Sequence, residues 1–301
     1  MNQVPVISSR CIEINTLDSA AMTTNPLPAT REKKCMRVAV IGACYYTSAS
    51  RFSKVTGSFL RGLLPDNCAA EEYLVSMRSP VPTAAEQEGG ASWITSTGRY
   101  LDISAYASAA SVIDGHDLYL ILNDTLFTKH PWRLIAKRLR AMIPSLAAIG
   151  EPAAAGEIHP STDLLLLDSR NPTRRHLSTF CFLLNQAGFA VFKQLVDTLP
   201  GSESNDDVRN WLSDHAGKHA PLKHLLHVHL TGPASPWSWK GRLNDGVSED
   251  LLLSKAVTVA FEYLLSEQLL RHGGLVMPIN IGLNYRVCAK AAALYSRVGR
   301  K

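Results

Sequence analysis

The sequence of 301 residues has no long apolar runs. None comes near the roughly 18 apolar residues that a helix needs to span a bilayer, which excludes an integral membrane protein. Excess charge is also scarce. Lys plus Arg number 31 and Asp plus Glu 26, a formal net charge of +5. Such a mildly basic balance suits a phosphate-bearing ligand or an anionic surface and gives no ground for nucleic acid as a partner.

Cysteine pairing motifs are missing too. Cysteines stand at 11, 35, 44, 68, 181 and 288, with no C-x-x-C spacing, which excludes a zinc ribbon or a thioredoxin motif. Scattered over so long a chain they do not form a disulfide framework. They read as buried, reduced thiols of a cytosolic protein. Other signatures are absent. Gly42 follows the first apolar run, but G-x-G-x-x-G is not completed, so the dinucleotide fingerprint fails. G-x-x-x-x-G-K-[ST], G-x-S-x-G and H-E-x-x-H do not occur, which sets aside P-loop ATPases, the common serine-hydrolase elbow and the zincins. An α/β protein that holds its ligand by less stereotyped loops remains.

What is present supports that class. The chain is 46% hydrophobic and 19% charged, enough to bury a sizeable core. Residues 1–36 differ from the rest, with Pro5, Pro26, Pro28, many Ser and Thr, and the charged run Arg31-Glu32-Lys33-Lys34. They lack the apolar stretch of a secretory signal and read as a disordered leader, or else Met36 is the natural start. Arg37 to Cys44 (RVAVIGAC) is the pattern of a strand buried on both faces. Helical spacing follows over Ser50–Leu64, stopped by Pro65. Strands are expected at Tyr73–Met77, Ser92–Thr95 and Asp117–Leu122, with a loop marked by Pro80, Pro82 and Gly89-Gly90, and a helix over Ile103–Ile113. Further on, helices are expected at Pro131–Met142, Phe189–Leu199, Val208–His215 and Glu249–His272, the last closed by Gly273-Gly274. Strands are expected at Asp163–Leu167, Leu177–Leu184 and Leu225–Leu230. Alternating strands and helices predict an α/β fold with a mostly parallel central sheet and helices on both faces.

In an open sheet of that kind ligands bind beyond the carboxyl ends of the strands. The strand Asp117–Leu122 runs into Asn123-Asp124-Thr125. A carboxylate there either holds a divalent ion against a diphosphate or caps a turn.

At these residues the chain resembles a family. DLYLILNDTLF (117–127), HLSTFCFLLNQAGF (176–189) and SKAVTVAFEYLLSEQLLRHGG (254–274) resemble, in that order, three segments of bacterial polysaccharide-biosynthesis glycosyltransferases of the rhamnan-synthesis type. In those proteins an apolar strand ends in Asn-Asp-Ser/Thr, a Ser/Thr-aromatic strand runs into a small helix, and a closing helix carries Glu with Ser four residues on. The resemblance implies a GT-A-like, Rossmann-type sandwich, with 37–130 as a nucleotide-binding half and 131–301 as an acceptor half of one domain. It implies a nucleotide-diphosphate sugar as donor and a saccharide or lipid-linked hydroxyl as acceptor. A divalent cation, Mg²⁺ or Mn²⁺, is the expected cofactor. Family members usually carry Asp-x-Asp where this chain has Asn123-Asp124-Thr125, so Asp124 is the one carboxylate for a metal. The resemblance also implies a cytoplasmic protein with no transmembrane segment, free to touch the inner face of a membrane.

Sugar transfer needs a counter-charge for the leaving diphosphate, a base for the acceptor hydroxyl where configuration inverts, and a shaped pocket. Asn123 and Asp124 are candidates for the first. Lys129, Arg133 and Lys137, spaced as one helix face, and Arg174-Arg175-His176 offer cations or else solvated surface. Asp168, at the end of an apolar run, and Glu262, within the long helix, are the candidate bases. Glu249 and Asp250 suit the dipole at that helix's start. Ala43 and Tyr45, after the first strand, are candidates for the nucleotide end of the pocket, where Tyr45 or Tyr46 either stacks on a base or edges the core. Asp102 is either a ribose contact or a helix cap. Trp237 and Trp239 are candidates for a sugar platform or a loop anchor. His227 and His229 would share one face of a strand, but no third metal ligand accompanies them. Two other readings stand beside the transferase. One is an inactive α/β binding protein, favoured by the single carboxylate. The other is a Rossmann-type enzyme on another nucleotide substrate, which the missing glycines oppose.

Overall fold

A computed structural model describes residues 35–77, 90–96, 98–159, 176–201, 204–215, 222, 226, 230 and 248–280. All of the described residues belong to one compact unit, Lys34–Lys301.

Strand β1 (Met36–Cys44) is the apolar run read from the sequence, and its last seven residues are buried. It lies inside a seven-stranded sheet of order β3-β2-β1-β4-β6-β5-β7. The others are β2 (Cys68–Ser76), β3 (Ser92–Thr95), β4 (Leu118–Asn123), β5 (Ala153–His159), β6 (His176–Asn185) and β7 (Leu275–Pro278). β1 pairs in parallel with β2 and β4, β2 with β3, and β5 with β7. β6 alone runs antiparallel, against both β4 and β5. The result is an α/β sandwich with a mostly parallel sheet and helices on both faces. β6 therefore starts at the edge where its parallel neighbours end.

Alternation along β1 sends side chains to two cores. Val38 and Val40 pack with α1 (Ala49–Leu63) and α4 (Trp132–Ala148). Ala39, Ile41 and Ala43 face α2 (Leu101–Ala110), α5 (Gln186–Val196), α6 (Asn205–His215) and the long α7 (Glu249–Arg271). Gly42 lets α1 come close: a Cβ there would sit 2.7 Å from Leu74 and 2.9 Å from Phe52. The short α3 (Thr125–Lys129) follows β4 directly. No helix among the described residues is long and apolar enough to cross a membrane.

Several expectations needed correction. The strand expected at Leu225–Leu230 is helical at Leu226 and Leu230, as at Leu222, and all three are buried. Leucines four apart share a helix face, a spacing that outweighs the local run. The helix expected to end at Met142 runs on through Pro144 to Ala148, because buried Ile143 and Leu146 carry it past the missing hydrogen bond. β2 starts at Cys68, five residues before the expected Tyr73, since its first half bears exposed Glu71 at the sheet's outer end. β5 was not expected at all. Its AAAGEIH has little β-propensity, and packing on β6 and β7 holds it. The strand expected at Asp163–Leu167 lies outside the described residues.

Candidate functional site

The parallel strands and the start of β6 share one edge. There β4 delivers Asn123 and then Asp124. The Asp124 carboxylate is buried. Its Oδ2 accepts hydrogen bonds from three successive backbone amides in the loop after β1: Tyr45 at 3.0 Å, Tyr46, and Thr47 at 2.9 Å. The Thr47 hydroxyl adds a longer one at 3.4 Å. A row of successive amides is an anion-binding concavity, and here the protein's own carboxylate fills it. The other oxygen, Oδ1, is buried without a hydrogen-bond partner.

Asn123 works as a connector. Its Oδ1 accepts from the Thr125 amide at 3.1 Å, and its Nδ2 donates to Oδ2 of Asp102 at 2.7 Å. Asp102 stands in the first turn of α2, just after Leu101, whose φ is +52°. A leucine in the left-handed region costs on the order of 1–3 kcal/mol, strain that surrounding structure must hold in place. The holding is visible: the Tyr100 amide donates to Ser104 Oγ at 2.8 Å, and the Thr258 hydroxyl of α7 reaches the Tyr100 carbonyl at 3.4 Å.

Glu262 enters from the middle of α7. Oε1 accepts from the Thr179 hydroxyl at 2.7 Å and the Thr179 amide at 3.3 Å, and Oε2 lies 3.5 Å from His176 Nε2. One turn on, Ser266 Oγ accepts from the Leu177 amide at 2.8 Å and donates to the Glu262 carbonyl at 3.2 Å. This fixes α7 over the start of β6. The wholly buried Tyr106 donates its hydroxyl to the Thr179 carbonyl at 2.9 Å. Burial first, then the charges of Asp102, Cys181, Asp124 and Glu262, push that hydroxyl far above its usual range, so it stays protonated.

The two carboxyls Asp102 and Glu262 are driven apart. Burial, the main cause, and the charge of Glu262 push Asp102 up to about 6, against the pull of Lys255 and the Asn123 bond. Burial also works to raise Glu262, but His176, Lys255 and the Thr179 bonds outweigh it, and that carboxyl ends below its usual value. Half-buried Lys255, two helical turns before Glu262, thus stabilises the charged form of both.

Of the residues singled out in the sequence, the structure brings Asp102, Asn123, Asp124 and Glu262 to this edge. Ala43 is buried in the core, and its carbonyl accepts from the Asp124 amide at 3.1 Å. Tyr45 is half-buried, its ring set edge-on to that of Tyr46 at 4.7 Å, and Tyr46 is 64% exposed. Lys129, Arg133 and Lys137 do not share one helix face. α3 ends at Lys129, and His130 is extended before α4 begins. Lys129 instead lies 5.7 Å from the centre of the Tyr46 ring. Asp168, Arg174, Arg175, Trp237, Trp239, His227 and His229 lie outside the described residues. Lys255, Thr179 and Tyr106 were not foreseen. The seven-residue spacing of Lys255 and Glu262 was the available signal for the first.

Among the described residues no group of three or more His, Cys, Asp and Glu could hold a metal ion. Among the described residues the orphaned Oδ1 of Asp124 is the one buried carboxylate oxygen with no hydrogen-bond partner, and a carboxylate oxygen is the donor type a hard cation takes.

No family model matches the chain, and no curated protein does. Among solved structures it is similar to the mannosyltransferase PcManGT from Pyrobaculum calidifontis in complex with GDP-Man and Mn2+. The identity is 13%, covering 91% of this chain and 90% of that one, with a TM-score of 0.37.

Proposed function

We propose that the chain is a glycosyltransferase. It moves a sugar from a nucleotide-diphosphate donor to a hydroxyl of a saccharide or lipid-linked acceptor, in the building of a cell-surface polysaccharide. The observation that carries this reading is the meeting of Asp102, Asp124 and Glu262 beside Lys255 at the carboxyl edge of a mostly parallel sheet. Carboxylates gathered in a poorly solvated place repel one another, a cost that a catalytic task explains better than a structural one.

In this reading residues 37–130 form the donor half and 131–301 the acceptor half. The loop of Tyr45 and Tyr46 faces the nucleotide, and Arg174 and Arg175 meet the diphosphate. Asp124 contributes its free oxygen to a divalent cation that arrives with the donor, where the ion would neutralise the leaving group. The protein works in the cytoplasm and touches a membrane only at its surface.

The occupied amides of the β1 loop favour a second reading, a nucleotide- or glycan-binding protein without turnover. One experiment separates them. Melting is followed with a panel of nucleoside diphosphates and nucleotide sugars, with and without Mg²⁺ or Mn²⁺, because a ligand that binds only the native state raises Tm. A rise with one nucleotide sugar, together with release of its nucleoside diphosphate over time, supports the transferase. A rise without release supports the binder, and no rise with any nucleotide sinks the transferase.

A further inference from the structure

We propose that Asp102 is the base of the transfer, and that Glu262 is a positioning residue that stays charged and holds Thr179 and His176. The inference rests on the glycosyltransferase reading and assigns roles within the same site.

The two carboxyls differ in what their oxygens are doing. Both oxygens of Glu262 are engaged, Oε1 by two bonds from Thr179 and Oε2 by the His176 ring. Taking a proton there would undo contacts that fasten α7 to β6. Asp102 has one side-chain hydrogen bond among the described residues, from Asn123 at 2.7 Å. That bond ties one oxygen to β4, and the other hydrogen bond that bears on the carboxylate among the described residues comes from its own backbone amide, so taking a proton there breaks no contact between elements. The strained Leu101 immediately before it is the kind of backbone distortion kept where a side chain must be aimed.

The surroundings separate the two further. Asp102 faces Asn123 from β4, Tyr106 from its own helix, and Lys255 and Glu262 from α7. Burial and the fixed charge of Glu262 make it the more basic carboxylate, while Lys255 keeps it ionised at neutral pH. A base matched to its working pH transfers protons most effectively, and paired carboxyls pushed apart reveal their division of labour. In the step itself the acceptor hydroxyl gives its proton to the Asp102 carboxylate. The hydroxyl oxygen forms a bond to the anomeric carbon as the bond from that carbon to the diphosphate oxygen breaks. The nucleoside diphosphate leaves with the electron pair, and configuration at the anomeric carbon inverts.

The test uses the full chain with GDP-, UDP- and dTDP-hexoses, water serving as the simplest hydroxyl acceptor, and follows release of nucleoside diphosphate. Asp102→Asn keeps the size and the Asn123 bond. It should lower release about 10²- to 10⁴-fold, with the Tm shift given by the nucleoside diphosphate alone unchanged. In the wild type the acid limb of the pH-rate profile should fall near pH 6. Glu262→Gln should move that limb to lower pH, because it removes a charge that raises Asp102, and Lys255→Met should move it higher. Full release by Asp102→Asn overturns the assignment and leaves the transferase standing. So does a loss of nucleoside diphosphate binding in step with the rate, which would make Asp102 a donor contact. A wild type that neither binds nor cleaves any of these donors overturns the transferase and the assignment together.

Discussion

The two edges of the central sheet carry similar residues and treat them in opposite ways. At the amino edge Arg37 donates to Glu71 at 2.9 Å, both half exposed, and the Arg37 amide donates to Asp117 at 2.8 Å. Tyr73 donates to Glu71 Oε2 at 3.1 Å, and the His116 ring lies 3.1 Å from that same oxygen. The Arg37 bond, with help from His116 and Tyr73, holds Glu71 down to about 2. At the carboxyl edge Asp102, Asp124 and Glu262 gather with one lysine, and one of them is pushed up to about 6. Opposite charges in water settle with their partners; like charges under cover need a reason to stay. The amino edge pairs its charges in the open, whereas the carboxyl edge keeps carboxylates under cover at a cost in stability.

Removing the carboxylate that does most at the carboxyl edge should do the most damage. Asp124→Ala strands three amides of the β1 loop and should destabilise the protein by about 3 kcal/mol or more in urea denaturation. Asp124→Asn should cost less than half of that, because an amide oxygen can still accept. The next effect runs the other way. Because the folded state raises the Asp102 carboxyl, its contribution to stability is complete below the unfolded value of 3.8 and is lost as pH rises through about 6. Asp102→Asn should therefore be more stable than wild type at pH 8 by on the order of 1–2 kcal/mol, and no more stable at pH 3.5. Glu262→Gln should destabilise at neutral pH by about 1 kcal/mol. Since folding lowers that carboxyl, the difference should fade as pH falls through its folded value. Smallest of all, Glu71→Gln at the amino edge should change neither the urea midpoint nor the release of nucleoside diphosphate. A large loss of activity there would erase the contrast between the edges.

The sequence carried this contrast unevenly. RVAVIGAC and DLYLILN announced the central strands because both faces of each are buried, and nothing polar interrupts them. Asn123-Asp124 was legible as a strand-end carboxylate, but not as the acceptor for a loop 77 to 79 residues earlier, since no local pattern encodes a contact across β1 and β4. Asp102 read as a cap or a ribose contact because its neighbours Asn123, Lys255 and Glu262 come from distant segments. Glu262 stood out by its place in an apolar helix, and Ser266, four residues on, does fasten that turn to β6. The alanines of β5 gave no sign of a strand, and leucines at 226 and 230 looked like one until the four-residue spacing decided for helix.

The Asp124 bond to the β1 loop has a consequence during synthesis. β1, α1 and β2 leave the ribosome before residue 124, and until then three amides of Tyr45 to Thr47 have only water to bind. The Tyr45–Thr47 loop can take this shape only once β4 has docked beside β1 and brought Asp124 to it. Variants at Asp124 should accordingly quicken unfolding and leave the early pairing of β1 with β2 untouched.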